Sequence, residues 1–219
     1  MSKKPRQILI VDDHPIMRMG LAQLVGLDSN FEVCGEAGSA NEAIEKIEEI
    51  GDVDMALVDI SLPDRSGLEL VKDLKVMKPE LSCLVISSHD ENVYAERILK
   101  AGGKGYIMKD QAPDKLIEAI KVVTNGGIFL SPEMTAKMMQ IIAGGGGNEA
   151  SRGISGLSDR EFEVFRKLGE GKSSREIAGE LGISIRTVDT HRTHIKDKMG
   201  LRDSSELTFE AIRWVEAQS

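Results

Sequence analysis

Up to about residue 125, short runs of β-branched and apolar residues alternate with longer stretches of helical periodicity, and no other feature of the chain constrains its fold as much. Strands joined by helix-length connections pair in parallel, because a crossover of that length returns the chain to the end of the sheet where the previous strand began. Five strands are expected, at Gln7 to Val11, Phe31 to Ala37, Met55 to Asp59, Cys83 to Ser87 and Gly105 to Met108, with helices following from about Pro15, Asn41, Ser66, Asn92 and Pro113. Ser39 with Glu42 three residues later has capping-box spacing, and Pro113 suits a first helical turn. The fold class is therefore α/β, a (βα)5 doubly wound parallel-sheet domain over residues 5–127.

In such sheets ligands bind beyond the carboxyl ends of the strands. Those ends carry Asp12 and Asp13 after the first strand, Asp59 closing the third, Ser87 and Ser88 closing the fourth, and Lys109 just past the fifth. Three carboxylates on one rim repel one another unless a cation sits among them, and oxygen donors alone suit a hard ion such as Mg²⁺. Asp59 lies centrally and is a carboxylate nucleophile able to form an aspartyl-phosphate. Lys109 as a point charge and Ser87 as a hydroxyl donor complete a phosphoryl site that works by positioning and electrostatics.

Residues 128–156 form a linker: a short helical stretch from Ser131 to Ala143, then a glycine-rich run from Gly144 to Gly156 that is costly to order. Residues 157–219 show no strand signal. They carry three further capping-type starts, Ser158 with Glu161, Ser173 with Glu176 and Asp203 with Glu206, and read as a small all-α bundle. Within it, Ser173 to Leu181, a turn at Gly182 and Ile185 to Met199 have helix-turn-helix layout, whose second helix enters the major groove of double-stranded DNA. Val188, Ile195 and Met199 mark the apolar seam of that helix, which turns Arg186, Asp189, Thr190, Thr193 and Lys196 outward.

Charge follows the same division. The net charge of −8 is concentrated in residues 1–130, with 15 Lys and Arg against 22 Asp and Glu, net −7. Ser184 to Arg202 carries five basic against two acidic residues, a local +3 where nucleic acid would need it. A net −7 domain tethered to that helix is expected to occlude it, or its dimer surface, until phosphorylation changes the docking face.

The strand-end segments Ile10-Val11-Asp12-Asp13-His14-Pro15, Leu57-Val58-Asp59-Ile60-Ser61-Leu62-Pro63, Val85-Ile86-Ser87-Ser88-His89-Asp90 and Gly105-Tyr106-Ile107-Met108-Lys109-Asp110 resemble the receiver domain of two-component response regulators. The resemblance implies that Asp59 accepts phosphate from a sensor histidine kinase, that Asp12, Asp13, Asp59 and the backbone carbonyl of Ser61 hold Mg²⁺, that Ser87 and Lys109 contact the phosphoryl group, and that Tyr106 is the switch aromatic. His14 and His89 read as solvated surface residues. Leu157 to Glu161, Gly171 to Ala178 and Thr187 to His191 are similar to the LuxR-type DNA-binding domain, so the whole is similar to a NarL/FixJ-type regulator. That likeness implies base-facing positions at Asp189, Thr190 and Thr193, phosphate contacts around Thr187, His191, Arg192 and His194, and a homodimer when phosphorylated. Its dimerisation element corresponds to the last helix, with Leu207, Ala211, Trp214 and Val215, although a core role for these four stays open.

The remaining features narrow the function class. No apolar run approaches the roughly 18 residues of a membrane span, and the start runs into only Ile8 to Val11 before two aspartates, so a cytoplasmic protein with no membrane partner is expected. Cys34 and Cys83 stand alone in apolar runs and read as buried free thiols. An aspartate-nucleophile phosphohydrolase is the competing reading, but such enzymes carry a second carboxylate two residues after the nucleophile, where this chain has Ser61; the expectation is a non-enzyme. A ligand-sensing regulator would want an aromatic-lined pocket, and aromatics are only 4% of the chain. A receiver-like domain that never takes phosphate would not need the full acidic, hydroxyl and lysine set.

Overall fold

The structure, a computed structural model, describes residues 4–140, residue 143 and residues 153–217. The chain divides into two compact units, Met1–Ala136 and Lys137–Ser219. In the first, strands β1 (Arg6–Val11), β2 (Phe31–Ala37), β3 (Met55–Val58), β4 (Ser82–Ser87) and β5 (Gly105–Met108) form one parallel sheet in the order β2-β1-β3-β4-β5. The crossover helices are α1 (Pro15–Val25), α2 (Ala40–Ile50), α3 (Gly67–Met77), α4 (Glu91–Ala101) and α5 (Ala112–Thr124).

The central strands are buried on both faces, which explains why they read as continuous apolar runs rather than alternating ones. Ile8, Ile10, Leu57, Leu84, Ile86 and Ile107 point to the face covered by α1 and α5, where Leu21, Val25, Leu116, Ile120 and Val123 complete the cluster. Each such side chain, fully buried, contributes about 1.5 to 3 kcal/mol. Sheet order places β1 and β3 at the centre, so the residues following them share one rim.

Several boundaries differ from the sequence reading by one residue. β3 ends at Val58, so Asp59 lies just past the strand, yet its amide still donates to Val11 O at 2.8 Å and keeps ladder register. Ser39 caps α2 through Glu42 N, but the Glu42 carboxylate accepts from Gly38 N at 2.7 Å, so the box is not reciprocal. Cys83 is buried, its thiol pushed up to about 12 by desolvation. Cys34, expected buried, is only half-buried. It is the residue skipped where the β1–β2 register shifts, on an edge strand.

The first unit also continues past residue 127. Tyr106 N donates to Phe129 O and Phe129 N to Lys104 O, both at 2.9 Å, which lays this segment beside β5. Helix α6 (Pro132–Gln140) follows with Met134 buried; its expected continuation to Ala143 runs into residues 141–142, outside the described ones. The glycine-rich stretch likewise lies outside them from 144 to 152, while Ile154–Gly156, expected to be irregular, forms a 3₁₀ turn.

The second unit holds α7 (Asp159–Gly169), α8 (Ser174–Glu180), α9 (Ile185–Met199) and α10 (Ser204–Glu216). Ser158 with Glu161 and Ser173 with Glu176 form complete capping boxes. Gly182, at φ 63°, supplies the left-handed residue between α8 and α9. Leu207 and Ala211 are fully buried, and Trp214 meets Phe162 edge-on at 5.4 Å and Phe165 at 5.9 Å, so the inner face of α10 builds this unit's own core. Its exposed apolar residues are instead Phe209 and Ile212, 63% and 36% exposed, which the sequence reading does not single out. Among the described residues, no helix is long and apolar enough to cross a membrane.

Candidate functional site

Asp12, 1% exposed, and Asp59, 3% exposed, stand side by side on the rim because β1 and β3 are paired in register. Lys109, one residue past β5, reaches between them, its Nζ 2.7 Å from Asp12 Oδ2 and 2.8 Å from Asp59 Oδ2. Burial pushes the Asp59 carboxyl above the ordinary range; the hydrogen bond and charge of Lys109 oppose that push and nearby Asp12 adds to it. Burial works against the Lys109 ammonium, but its ion pairs with Asp12 and Asp59 outweigh that and hold its proton more tightly than usual.

Asp13 completes the cluster, with His14 Nδ1 at 2.6 Å from its Oδ1 and 3.2 Å from Asp12 Oδ1. His14 is exposed as expected, but it touches the site. Ligand atoms from Asp12, Asp13, His14 and Asp59 lie within 4.8 Å of one another. Asp12 Oδ2 and Asp13 Oδ1 are buried and accept no hydrogen bond of good geometry, although each has the cationic or imidazole neighbour just named. Three carboxylates against one lysine leave a deficit of two positive charges, and the donors are mainly oxygen. A hard divalent cation fits both facts.

Ser87 is fully buried at the end of β4, and its Oγ accepts from His89 N at 3.2 Å. Tyr106 is turned inward, 2% exposed, and its hydroxyl donates to His89 O at 2.6 Å. Burial pushes the Tyr106 phenol well above its ordinary value, so it is a neutral donor. His89 is not simply solvated, as the sequence suggests: its ring stacks on Tyr94 at 5.2 Å and its Nε2 is 3.1 Å from Ser61 Oγ. The Ser61 amide in turn donates to the Asp59 carboxylate. Asp59, Ser61, His89, Ser87 and Tyr106 are thus one connected network, of which the sequence identifies every member but His89.

A second residue missed by the sequence reading is Gly67, the first of α3. Its amide donates to Ile60 O at 2.8 Å, and a Cβ there would lie 1.9 Å from Asp59 O. The available signal is a glycine in a first helical turn, where its helix propensity is poor. Gly67→Ala is expected to destabilise the unit by about 1 to 3 kcal/mol, the scale of an overpacked core, because the obstacle is backbone. Thermal unfolding measures this, and an unchanged midpoint would contradict the packing described.

On α9, Val188 and Ile195 are fully buried and Met199 is half-buried, while Arg186, Asp189, Thr190 and Thr193 are exposed. The Thr190 and Thr193 hydroxyls donate back to Arg186 O at 3.0 Å and Asp189 O at 3.1 Å. Ser174 on α8 joins two of the candidates, donating to Asp189 at 3.1 Å and accepting from Arg192 at 2.8 Å. Thr187 closes the helix start, its amide donating to Ser184 Oγ at 3.1 Å. Lys196 is half-buried. His191 is also half-buried and His194 is exposed, and both lie against Glu161 of α7.

A (βα)5 domain with an acidic, lysine and hydroxyl rim, followed by a helix-turn-helix bundle, defines the class of DNA-binding response regulators. Residues 8–121 match the response regulator receiver domain, and residues 155–211 match the luxR family of bacterial regulatory proteins. The chain belongs to the response regulators of the NarL/FixJ type. It is 37% identical over 200 residues to the transcriptional regulatory protein UhpA of Escherichia coli (strain K12), covering 91% of this chain and 94% of that one. It is 32% identical over 227 residues to the transcriptional regulatory protein DegU of Brevibacillus brevis, covering 97% and 96%. Among solved structures, RcsB from Salmonella enterica serovar Typhimurium, bound to promoter rprA with the phosphomimetic BeF3−, aligns with a TM-score of 0.70 at 25% identity, covering 95% of this chain and 98% of that one.

Proposed function

We propose that Asp59 accepts a phosphoryl group from a sensor histidine kinase and that this controls how the C-terminal bundle engages double-stranded DNA. The observation that carries the reading is the Asp59 carboxylate held beside Asp12 by Lys109, on a rim short of two positive charges. An oxygen of Asp59 forms the new bond to phosphorus as the bond to the donor imidazole nitrogen breaks. Lys109 meets the transferred charge, and the Ser87 hydroxyl turns from its bond with His89 toward the phosphoryl oxygens. That turn would disturb the Tyr106 hydroxyl bonded to the same His89, which gives Tyr106 its switch role. Asp12, Asp13, Asp59 and the backbone carbonyl of Ser61 would hold Mg²⁺, which supplies charge neutralisation for an anionic donor.

On the DNA side, Asp189, Thr190 and Thr193 are the base readers, and Arg186, Thr187, His191, Arg192, His194 and Lys196 the phosphate-contacting set. The phosphorylated form is a homodimer, for which the exposed Phe209 and Ile212 of α10 supply apolar area; a solved structure with a TM-score of 0.58 to this chain holds two RcsB dimers bound to two parallel DNAs. The site is that of a cytoplasmic signalling protein rather than an enzyme, since Ser61 offers no general acid for hydrolysis.

Incubation with a small phosphodonor and Mg²⁺, followed by intact and peptide mass spectrometry, tests the assignment. One added phosphoryl group mapping to Asp59 is expected, and its mapping to Ser87, Ser88 or a histidine would overturn it.

A further inference from the structure

We infer that Glu161, His191 and His194 form a binding site for a divalent transition metal of the Zn²⁺ class, joining α9 to α7. The inference goes beyond the proposed function and does not depend on the receiver chemistry. His191 and His194 are three residues apart on α9 and so share a face. Glu161 presents its carboxylate to that face from the first turn of α7 and is 4% exposed. A ring nitrogen of each histidine and a carboxylate oxygen of Glu161 lie within 4.8 Å of one another.

The two Glu161 oxygens are divided between tasks. Oε2 accepts from Ser158 N at 2.7 Å and from Lys198 Nζ at 2.6 Å, closing the capping box and balancing the carboxylate charge. Oε1 faces His194 Nδ1 at 3.7 Å, too far for a hydrogen bond. Two atoms each about 2.0 to 2.2 Å from one ion stand roughly 3.3 to 3.6 Å apart at the tetrahedral angle, so a small side-chain adjustment lets both ligate.

An independent observation comes from His191, whose Nδ1 is buried without a hydrogen-bond partner. A buried polar atom left unpaired asks for an explanation, and an ion is one of the few that fit. Two imidazoles and one carboxylate suit Zn²⁺ rather than Mg²⁺ and leave a coordination position open. Both histidines also belong to the phosphate-contacting set, so metal occupancy and DNA affinity are linked, each altering the other by the same factor.

The test uses the full-length chain stripped of metal and kept in excess Mg²⁺ to fill the acidic rim. It is titrated with Zn²⁺ against a chromophoric chelator, and with Co²⁺ for the visible absorption of nitrogen ligation. One site is expected, with affinity reduced roughly 10- to 100-fold in His194→Ala and again in His191→Ala, at least the loss typical of groups that only support a metal ligand. Asp13→Asn should leave it unchanged. His194 is exposed, so its replacement spares the bundle, which circular dichroism checks. Zn²⁺ should shift DNA affinity in the wild type and not in His194→Ala. Equal Zn²⁺ affinity in wild type and His194→Ala, or loss of the site in Asp13→Asn, would overturn the assignment; an equal shift of DNA affinity in both proteins would overturn the linkage.

Discussion

Asp59→Asn is expected to abolish phosphoryl transfer from small donors and, in the absence of divalent cation, to stabilise the receiver. The two effects have one cause. Asp59 is 3% exposed, and burial raises its pKa above the ordinary 3.8 despite the ion pair with Lys109. A carboxyl whose folded pKa is raised binds its proton more tightly in the folded state. Its contribution is favourable below the unfolded pKa and is lost as pH rises through the folded one, so at neutral pH the ionised group costs stability. Asparagine keeps the shape and an acceptor for Lys109 but removes the charge, giving a gain of about 0.5 to 2 kcal/mol, the usual scale for relieving a functional site. The Asp59 contribution should decline as pH rises from just below 3.8 through the acid range, so the stability advantage of Asp59→Asn over the wild type should grow across that window. Mg²⁺ should narrow the difference by stabilising the wild type preferentially. Chemical denaturation with and without Mg²⁺ measures this, and a variant less stable than the wild type without cation would contradict the strained-carboxylate account.

The second large effect concerns DNA. Replacing Asp189, Thr190 and Thr193 together with alanine is expected to erase preference among binding sites, at about 1 to 3 kcal/mol for each base-reading side chain removed. All three are exposed, while the buried partners of α9 are Val188 and Ile195, so the fold should survive. Asp189 is tied through Ser174 to Arg192, and removing it frees Arg192 as well as deleting an acceptor. Lys196→Ala should differ in kind, weakening all sequences alike and reducing the salt slope by about 1, because a phosphate contact carries no base identity. Site selection from random DNA separates the two outcomes, and unchanged selected sites in the triple variant would refute the groove-facing assignment.

Much of this architecture is legible in the residues themselves. Strand positions survive in the structure because continuous apolar runs such as Ile8 to Val11 and Leu84 to Ile86 can be satisfied only by burial on both faces. The rim chemistry is legible for a related reason: parallel topology fixes which strand ends meet, so Asp12, Asp59 and Lys109 can be brought together on paper before any distance is known. What escapes the sequence depends on tertiary approach. Gly67 matters because of a backbone atom of Asp59, eight residues away, that no local pattern reveals. His89 reads as surface, since nothing local shows that Ser61, Tyr94 and Tyr106 converge on it. The apolar stripe of α10 is visible, but both faces carry apolar residues, and which one is covered depends on Phe162 and Phe165 of α7.

The central claim, that phosphorylation of Asp59 governs DNA binding, is tested most directly by one comparison. DNA affinity of the full-length chain is measured by fluorescence anisotropy at fixed salt and protein concentration, with and without phosphodonor and Mg²⁺, in the wild type and in Asp59→Asn. Phosphodonor should tighten binding in the wild type, with a rise in dimer, and leave Asp59→Asn unchanged. Equal affinity of phosphorylated and unphosphorylated wild type, or an equal response in Asp59→Asn, would contradict the account.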